Sequence, residues 1–256
     1  MLKKIRISIL LLILFFVAFG TWLAQARSTD WNGSLWVKVY PINADGTDTS
    51  RNYISKLTLD DFISIEGFVA REIEKYGHTL SRPVRMELGR EIREQPPLVG
   101  ENPNTFNIIL WSLKMRWWAG STAGPQDSPD PDVRIFVRYH SPDGPRVLEN
   151  SVGLQKGMVG IVNAYAGRRE ASVNNVIIAH EFLHTLGATD KYEPGTGQPN
   201  FPVGFAEPDR KPLYPQKIAE IMGGRIPVSE FDAIIPKNLT FVIIGAETAR
   251  EINLTD

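Results

Sequence analysis

The chain has 256 residues, with 28 Lys and Arg against 29 Asp and Glu, and a formal net charge of -1. That balance excludes a protein held on nucleic acid by bulk charge, so no nucleic-acid partner is expected. There is no cysteine, which excludes a disulfide framework and any thiolate metal site. The remaining composition is that of a globular protein large enough to bury a core without staples.

The first 26 residues differ from the rest. Lys3, Lys4 and Arg6 precede the apolar run Ile7–Phe19, Gly20 breaks it, and Ala24-Gln25-Ala26 offers a small-x-small cleavage site. These features predict a secretory signal peptide. The rival is an uncleaved N-terminal transmembrane helix, because Ile7 to Ala24 approaches the length that spans a bilayer. Both readings place residues 27–256 outside the cytoplasm, secreted or periplasmic in the first case and membrane-tethered in the second. That remainder is expected to be one domain with an N-terminal lobe (27–187) and a C-terminal lobe (188–256).

Leu35–Tyr40 alternates and predicts a first strand, followed by a polar, turn-rich stretch, Asn43–Ser50. Leu59 to Tyr76 predicts a helix: Thr58 is placed to cap it, and Phe62, Ile65, Phe68, Val69 and Ile73 form its apolar stripe. Pro83–Leu88 reads as a second strand, and Arg90–Glu94 as a solvated charged run or its extension. A helix is expected from Asn104 or Thr105 to Trp118; Trp111, Trp117 and Trp118 on it suit either core or an interface patch. Asp132–Tyr139 is the clearest strand, and Arg146–Gly153 and Met158–Ala164 predict two more. Ser172 is a candidate N-cap for a helix to Leu186. The stretch from Tyr192 to Ile218 carries six prolines and little periodicity, as expected of a cleft wall or a bulky surface loop. Asn238 to Glu251 predicts a closing C-terminal helix.

The helix ending at Leu186 carries the chemistry. His180–Asp190, after Ala179, reads H-E-x-x-H-x-x-G-x-x-D. His180 and His184 lie one turn apart on one helix face, roughly 6 Å along the axis. That spacing lets both imidazoles reach one Zn2+ ion at roughly 2.0–2.1 Å. Glu181 flanks the first histidine, placed to act on a metal-held water as general base without being a ligand. Gly187 is suited to a sharp turn at positive φ, which would return Asp190 as third ligand. Glu220–Pro227 then places Met222 in a glycine-rich turn. His78 and His140 have no ligand partner at a recognisable spacing.

These residues resemble the metzincin metallopeptidases, in which H-E-x-x-H-x-x-G-x-x-H precedes a methionine-containing turn beneath the metal. Asp190 stands where the third histidine would be, and with Tyr192 two residues later the pattern looks like the snapalysin group of small bacterial secreted endopeptidases. The likeness covers Ile178–Tyr192 and the Met222 turn. It implies an α+β fold: a twisted mixed sheet with an active-site helix, and a smaller irregular C-terminal lobe closed by a helix. It also implies zinc-dependent hydrolysis of protein or peptide substrates, an edge strand pairing with extended substrate (Arg146–Gly153 is the candidate), and supporting roles for Tyr192 and Gly187. Two rivals stand beside it. One keeps the histidines but takes Glu207 or Glu220 as third ligand; the other is an exported or anchored envelope-binding module with a structural or vestigial metal site.

Overall fold

A computed structural model describes residues 29–97, 104–123, 130–144, 151–155 and 157–255, together with Arg6 and Leu12. The fold is mixed α/β. Its centre is a sheet of five strands in the order β2-β1-β3-β5-β4: β1 (Leu35–Asn43), β2 (Val84–Leu88), β3 (Val133–His140), β4 (Val152–Leu154) and β5 (Val159–Tyr165). The first four in that order run parallel, and β4 lies antiparallel to β5 at the edge. Among the described residues there are five α-helices: α1 (Asp48–Ile54), α2 (Ile63–Lys75), α3 (Thr105–Thr122), α4 (Ala171–Leu186) and α5 (Ala246–Glu251).

Alternation along β1 and β3 sorts the residues onto two faces. Val37, Val39, Val133, Ile135 and Val137 form the main core with α2 and α4, through Phe68, Ile73, Phe182 and Leu183. Tyr40, Ile42, Phe136 and Ile161 face the other way and are covered by Met115, Trp118 and Ala119 of α3. Each fully buried side chain of this size contributes about 1.5–3 kcal/mol. The described ends of the chain meet: Trp31 Nε1 donates to the Ile252 carbonyl at 2.8 Å, and Asn253 Nδ2 to Thr29 Oγ1 at 3.0 Å.

Several expectations need correction. Among the described residues no helix is long and apolar enough to cross a membrane, so the expected transmembrane helix has no counterpart among them. The longest, α3, carries Asn107, Lys114 and Arg116. The signal and anchor readings of residues 1–26 fall, apart from Arg6 and Leu12, outside the described residues. The polar stretch after β1 contains α1, capped by Thr47 Oγ1 on the Ser50 amide at 3.2 Å. The Leu59–Tyr76 helix begins as a 3-10 turn, Leu59–Asp61, and becomes α-helical only at Ile63. Ile92 extends the pairing of β2's neighbourhood as an isolated bridge to Ile42, and it is fully buried within the charged run. Ser172 is not the cap of α4: Glu170 holds that position with no side-chain bond, and Asn174 and Asn175 anchor the helix start instead. Asn238–Glu251 is not one helix. Leu239–Phe241 is a 3-10 turn, β9 (Val242–Ile243) pairs with β6 (Ala219–Glu220), and α5 starts only after Gly245. Two further short strands, β7 (Ile226–Pro227) and β8 (Ala233–Ile234), pair antiparallel. Of the expected strand Arg146–Gly153, residues 146–150 lie outside the described residues, and the observed strand is β4.

Candidate metal site

α4 lies against β5 and β4, and one glycine permits the close approach. A Cβ at Gly153 would stand 2.4 Å from His184 Cβ and 2.6 Å from the Glu181 carbonyl. α4 ends at Gly187, whose φ of 115° is left-handed and whose amide closes on the carbonyls of Leu183 and His184. The turn brings the following loop back as the sequence predicts. Asp190 Oδ1 comes to 3.2 Å from His180 Nε2 and 3.1 Å from His184 Nε2. Ligand atoms of His180, Glu181 and His184 all lie within 4.8 Å of one another, a group suited to holding a metal ion.

The other ring nitrogens fix the imidazoles. His180 Nδ1 sits 2.9 Å from the Ile221 carbonyl, and His184 Nδ1 sits 2.7 Å from the Ala188 carbonyl. A carbonyl accepts only, so each Nδ1 carries a proton, and in the neutral ring Nε2 offers a lone pair. Two lone pairs and a carboxylate then meet at hydrogen-bond distance. Such an arrangement needs a cation at its centre, either a proton on each ring or a divalent metal. The spacing admits both: donors about 2.0–2.1 Å from a tetrahedral ion stand roughly 3.3 Å apart, and N–H···O hydrogen bonds extend to about 3.2 Å.

Electrostatics of the protein alone agree with that picture. Burial works most strongly against a charged His180, but the Asp190 hydrogen bond and the Glu181 charge outweigh it and raise its pKa. Burial also pushes Asp190 up, yet hydrogen bonds from both imidazoles hold it well below the usual carboxylate range. Glu181 is only 4% exposed, and burial raises its pKa against the opposing histidines. Its Oε2 has no hydrogen-bond partner among the described residues. Tyr192 lies with its ring 6.3 Å from that of His180; burial and then the neighbouring Asp190 push its phenol up to about 12.

The remaining sequence candidates occupy supporting places. Met222 is fully buried in the main core, and its carbonyl accepts from the Lys191 amide at 2.9 Å. Glu220 is fully buried behind that turn, accepting from Gly223 N (2.8 Å), Gly245 N (3.0 Å) and Thr248 Oγ1 (2.7 Å). Glu207 pairs with Arg210 at 3.2 Å. Both carboxylates of the rival ligand sets are thus engaged elsewhere, whereas Asp190 is at the histidines. His78 meets the Leu254 carbonyl and His140 meets Asn163, away from this group.

Three contributors had no signal in the sequence. The Ile221 carbonyl is a backbone group without a side-chain signature. Lys191, 3% exposed, bonds Glu251 at 2.7 Å and the Thr189 carbonyl at 3.0 Å, while Glu251 also accepts from the Thr189 amide and hydroxyl. This clamp from α5 grips both neighbours of Asp190 in the chain. Third, two cavities flank Glu181. One of ≈ 470 Å³ is bordered by Val152, Gly153, His184 and Pro194; the other, ≈ 740 Å³, is bordered by Asn163, Val173, Ile177, Ile221 and Arg225. Both are also lined by Ser151, Glu181 and Tyr192, so one cleft runs past the carboxylate on either side. No protein-family model matches the chain, and no curated protein is significantly similar to it.

Proposed function

We propose that the chain is an exported zinc-dependent endopeptidase of metzincin type, snapalysin-like in its third ligand, that hydrolyses peptide bonds in an extended polypeptide. The observation that carries this reading is the convergence of His180 Nε2, His184 Nε2 and Asp190 Oδ1 beside a buried Glu181 oxygen with no partner. Zinc suits the donor set, two neutral imidazoles and one carboxylate without thiolate. When bound, it supplies an acidified water, with pKa toward about 7, and a Lewis acid for the scissile carbonyl.

The chain's own residues do the rest. Glu181 takes the water proton on its free carboxylate oxygen and delivers it to the amine nitrogen as the C–N bond breaks. Tyr192 keeps its phenolic proton at neutral pH beside Asp190. β4 is the sheet edge beside the cleft, and its outer main-chain groups are placed to pair with an extended substrate running past Glu181.

The test is zinc per chain, measured in the parent, His180→Ala and Glu181→Gln, followed by cleavage of a peptide library. The expected result is about one zinc in the parent and in Glu181→Gln, none in His180→Ala, and cleavage by the parent only. Folded parent that takes up no zinc when offered it overturns the reading. So does a zinc-loaded Glu181→Gln that cleaves as fast as the parent; zinc with no cleavage by either would favour the binding module.

A further inference from the structure

α3 is apolar around most of its circumference, and the sheet covers only one side of it. Helices of that kind are stable when both sides are buried. Met115, Trp118 and Ala119 face the sheet. Opposite them, Phe106 (70% exposed), Ile109 (54%), Leu110 (41%), Leu113 (51%) and Trp117 (75%) stand in solvent. At about 100° per residue, Phe106, Leu110, Leu113 and Trp117 fall within roughly 60° of arc, a single stripe along the outer face. Every residue from Phe106 to Leu110 is exposed, so the first turns stand clear of the sheet as a tip rather than forming a groove.

The charges select what covers this stripe. The 18-residue helix has two cations, Lys114 and Arg116, and no acidic residue. By the same helical geometry Lys114 borders the stripe on one side and Arg116 on the other, each roughly 60–100° from its centre; Lys114 is exposed, whereas Arg116 is half-buried with its stem against Gly157 and its Nε buried. An apolar, aromatic-tipped stripe between two long cationic side chains matches the boundary of an anionic bilayer, with hydrocarbon under the stripe and phosphate at its margins. A second copy seated on the same stripe would bring the four cations together without a counter-charge from either helix.

We propose that α3 docks this domain onto the surface of an anionic lipid bilayer: Phe106, Leu110, Leu113 and Trp117 enter the acyl boundary, and the exposed Lys114 takes lipid phosphate, with the half-buried Arg116 at the other margin. α3 and the helix bearing His180 lie on opposite faces of the sheet. Docking in this way leaves the cleft on the side away from the lipid. The inference is independent of the peptidase reading.

The chain has no cysteine, so Leu113→Cys creates a unique thiol for an environment-sensitive fluorophore on the full-length protein. Residues 7–19 are themselves apolar, so bulk binding to vesicles is uninformative and the readout must be local to position 113. With phosphatidylglycerol-containing vesicles the probe should shift to the blue and be quenched by brominated lipid. A matching probe at Lys237→Cys should stay in water. In phosphatidylcholine alone, and with Lys114→Glu in anionic vesicles, quenching at 113 should fall several-fold. A probe at 113 that remains in water while the chain is vesicle-bound overturns the proposal. So does quenching that is equal in both lipids, or a blue shift without vesicles that grows with protein concentration, which would assign the face to a second copy.

Discussion

Replacing Lys191 by Met removes the cation that ties the Asp190 loop to α5 while keeping most of the side chain's volume. The pair is close and largely dry: 2.7 Å between Lys191 Nζ and Glu251 Oε2, with side-chain exposures of 3% and 21%. Gross attraction at that distance is about 6 kcal/mol at an effective dielectric of 20, most of it offset by desolvation. What the substitution exposes is the other side of the account: a Glu251 left without its cation, a loss of about 3–5 kcal/mol for a fully buried pair. Glu251 retains both Thr189 donors and some water, so about 2–3 kcal/mol is expected here. Urea unfolding of Lys191→Met, Glu251→Gln and the double variant measures this directly, and the double variant should cost less than the sum of the singles. Because Lys191 also bonds the Thr189 carbonyl, the loop's hold on Asp190 loosens, and zinc affinity should fall about 10–100-fold. Additive stability losses, or an unchanged zinc affinity in a folded Lys191→Met protein, would refute the reasoning.

Three other substitutions probe the same architecture. Gly153→Ala should cost about 1–3 kcal/mol and weaken zinc binding, because the new methyl has no room against His184 and the Glu181 carbonyl; a stability equal to the parent's would mean β4 does not press on α4. Gly187→Ala should lose about 1–2 kcal/mol in denaturant unfolding, since alanine is strained at φ 115° and its Cβ would lie 2.4 Å from Gln155 Nε2. Asp45→Asn tests acid stability. Burial tends to raise the Asp45 pKa, but hydrogen bonds from Ser141 and Thr47 lower it from 3.8 to about 2. A depressed folded-state pKa means the contribution is present above 3.8 and is lost as pH falls through about 2. Asp45 is exposed, so solvent limits the difference from parent to about 1 kcal/mol at pH 7. The two stability curves should converge near pH 2, and curves that stay parallel would show that this carboxylate is not responsible.

Much of the candidate site was legible because its chemistry is local. His180, Glu181 and His184 are set by one helical turn, and Gly187 supplies the reversal that returns Asp190; neither step needs the rest of the fold. β1 and β3 were legible from alternation and β5 as a short strand, with boundaries shifted by one to three residues. What failed was decided at a distance. Leu239, Val242, Ile243 and Ala246 have helical spacing, but Val242 and Ile243 pair with Ala219 and Glu220, and the Gly245 amide is taken by the buried Glu220 carboxylate. α1 was missed for a different reason: its Thr47-Asp48 start is an ordinary capping signal, obscured by a polar sequence that looked like a turn. The Lys191–Glu251 clamp joins residues sixty positions apart, and no local pattern marks either one.

The contact between the described ends has a mechanical meaning. Trp31 holds the Ile252 carbonyl and Asn253 holds Thr29, so a force applied through the chain at both ends falls first on these two side-chain bonds. The same adjacency means the ends could be joined and the chain cut open elsewhere, with Trp31 and Ile252 still meeting as they do now.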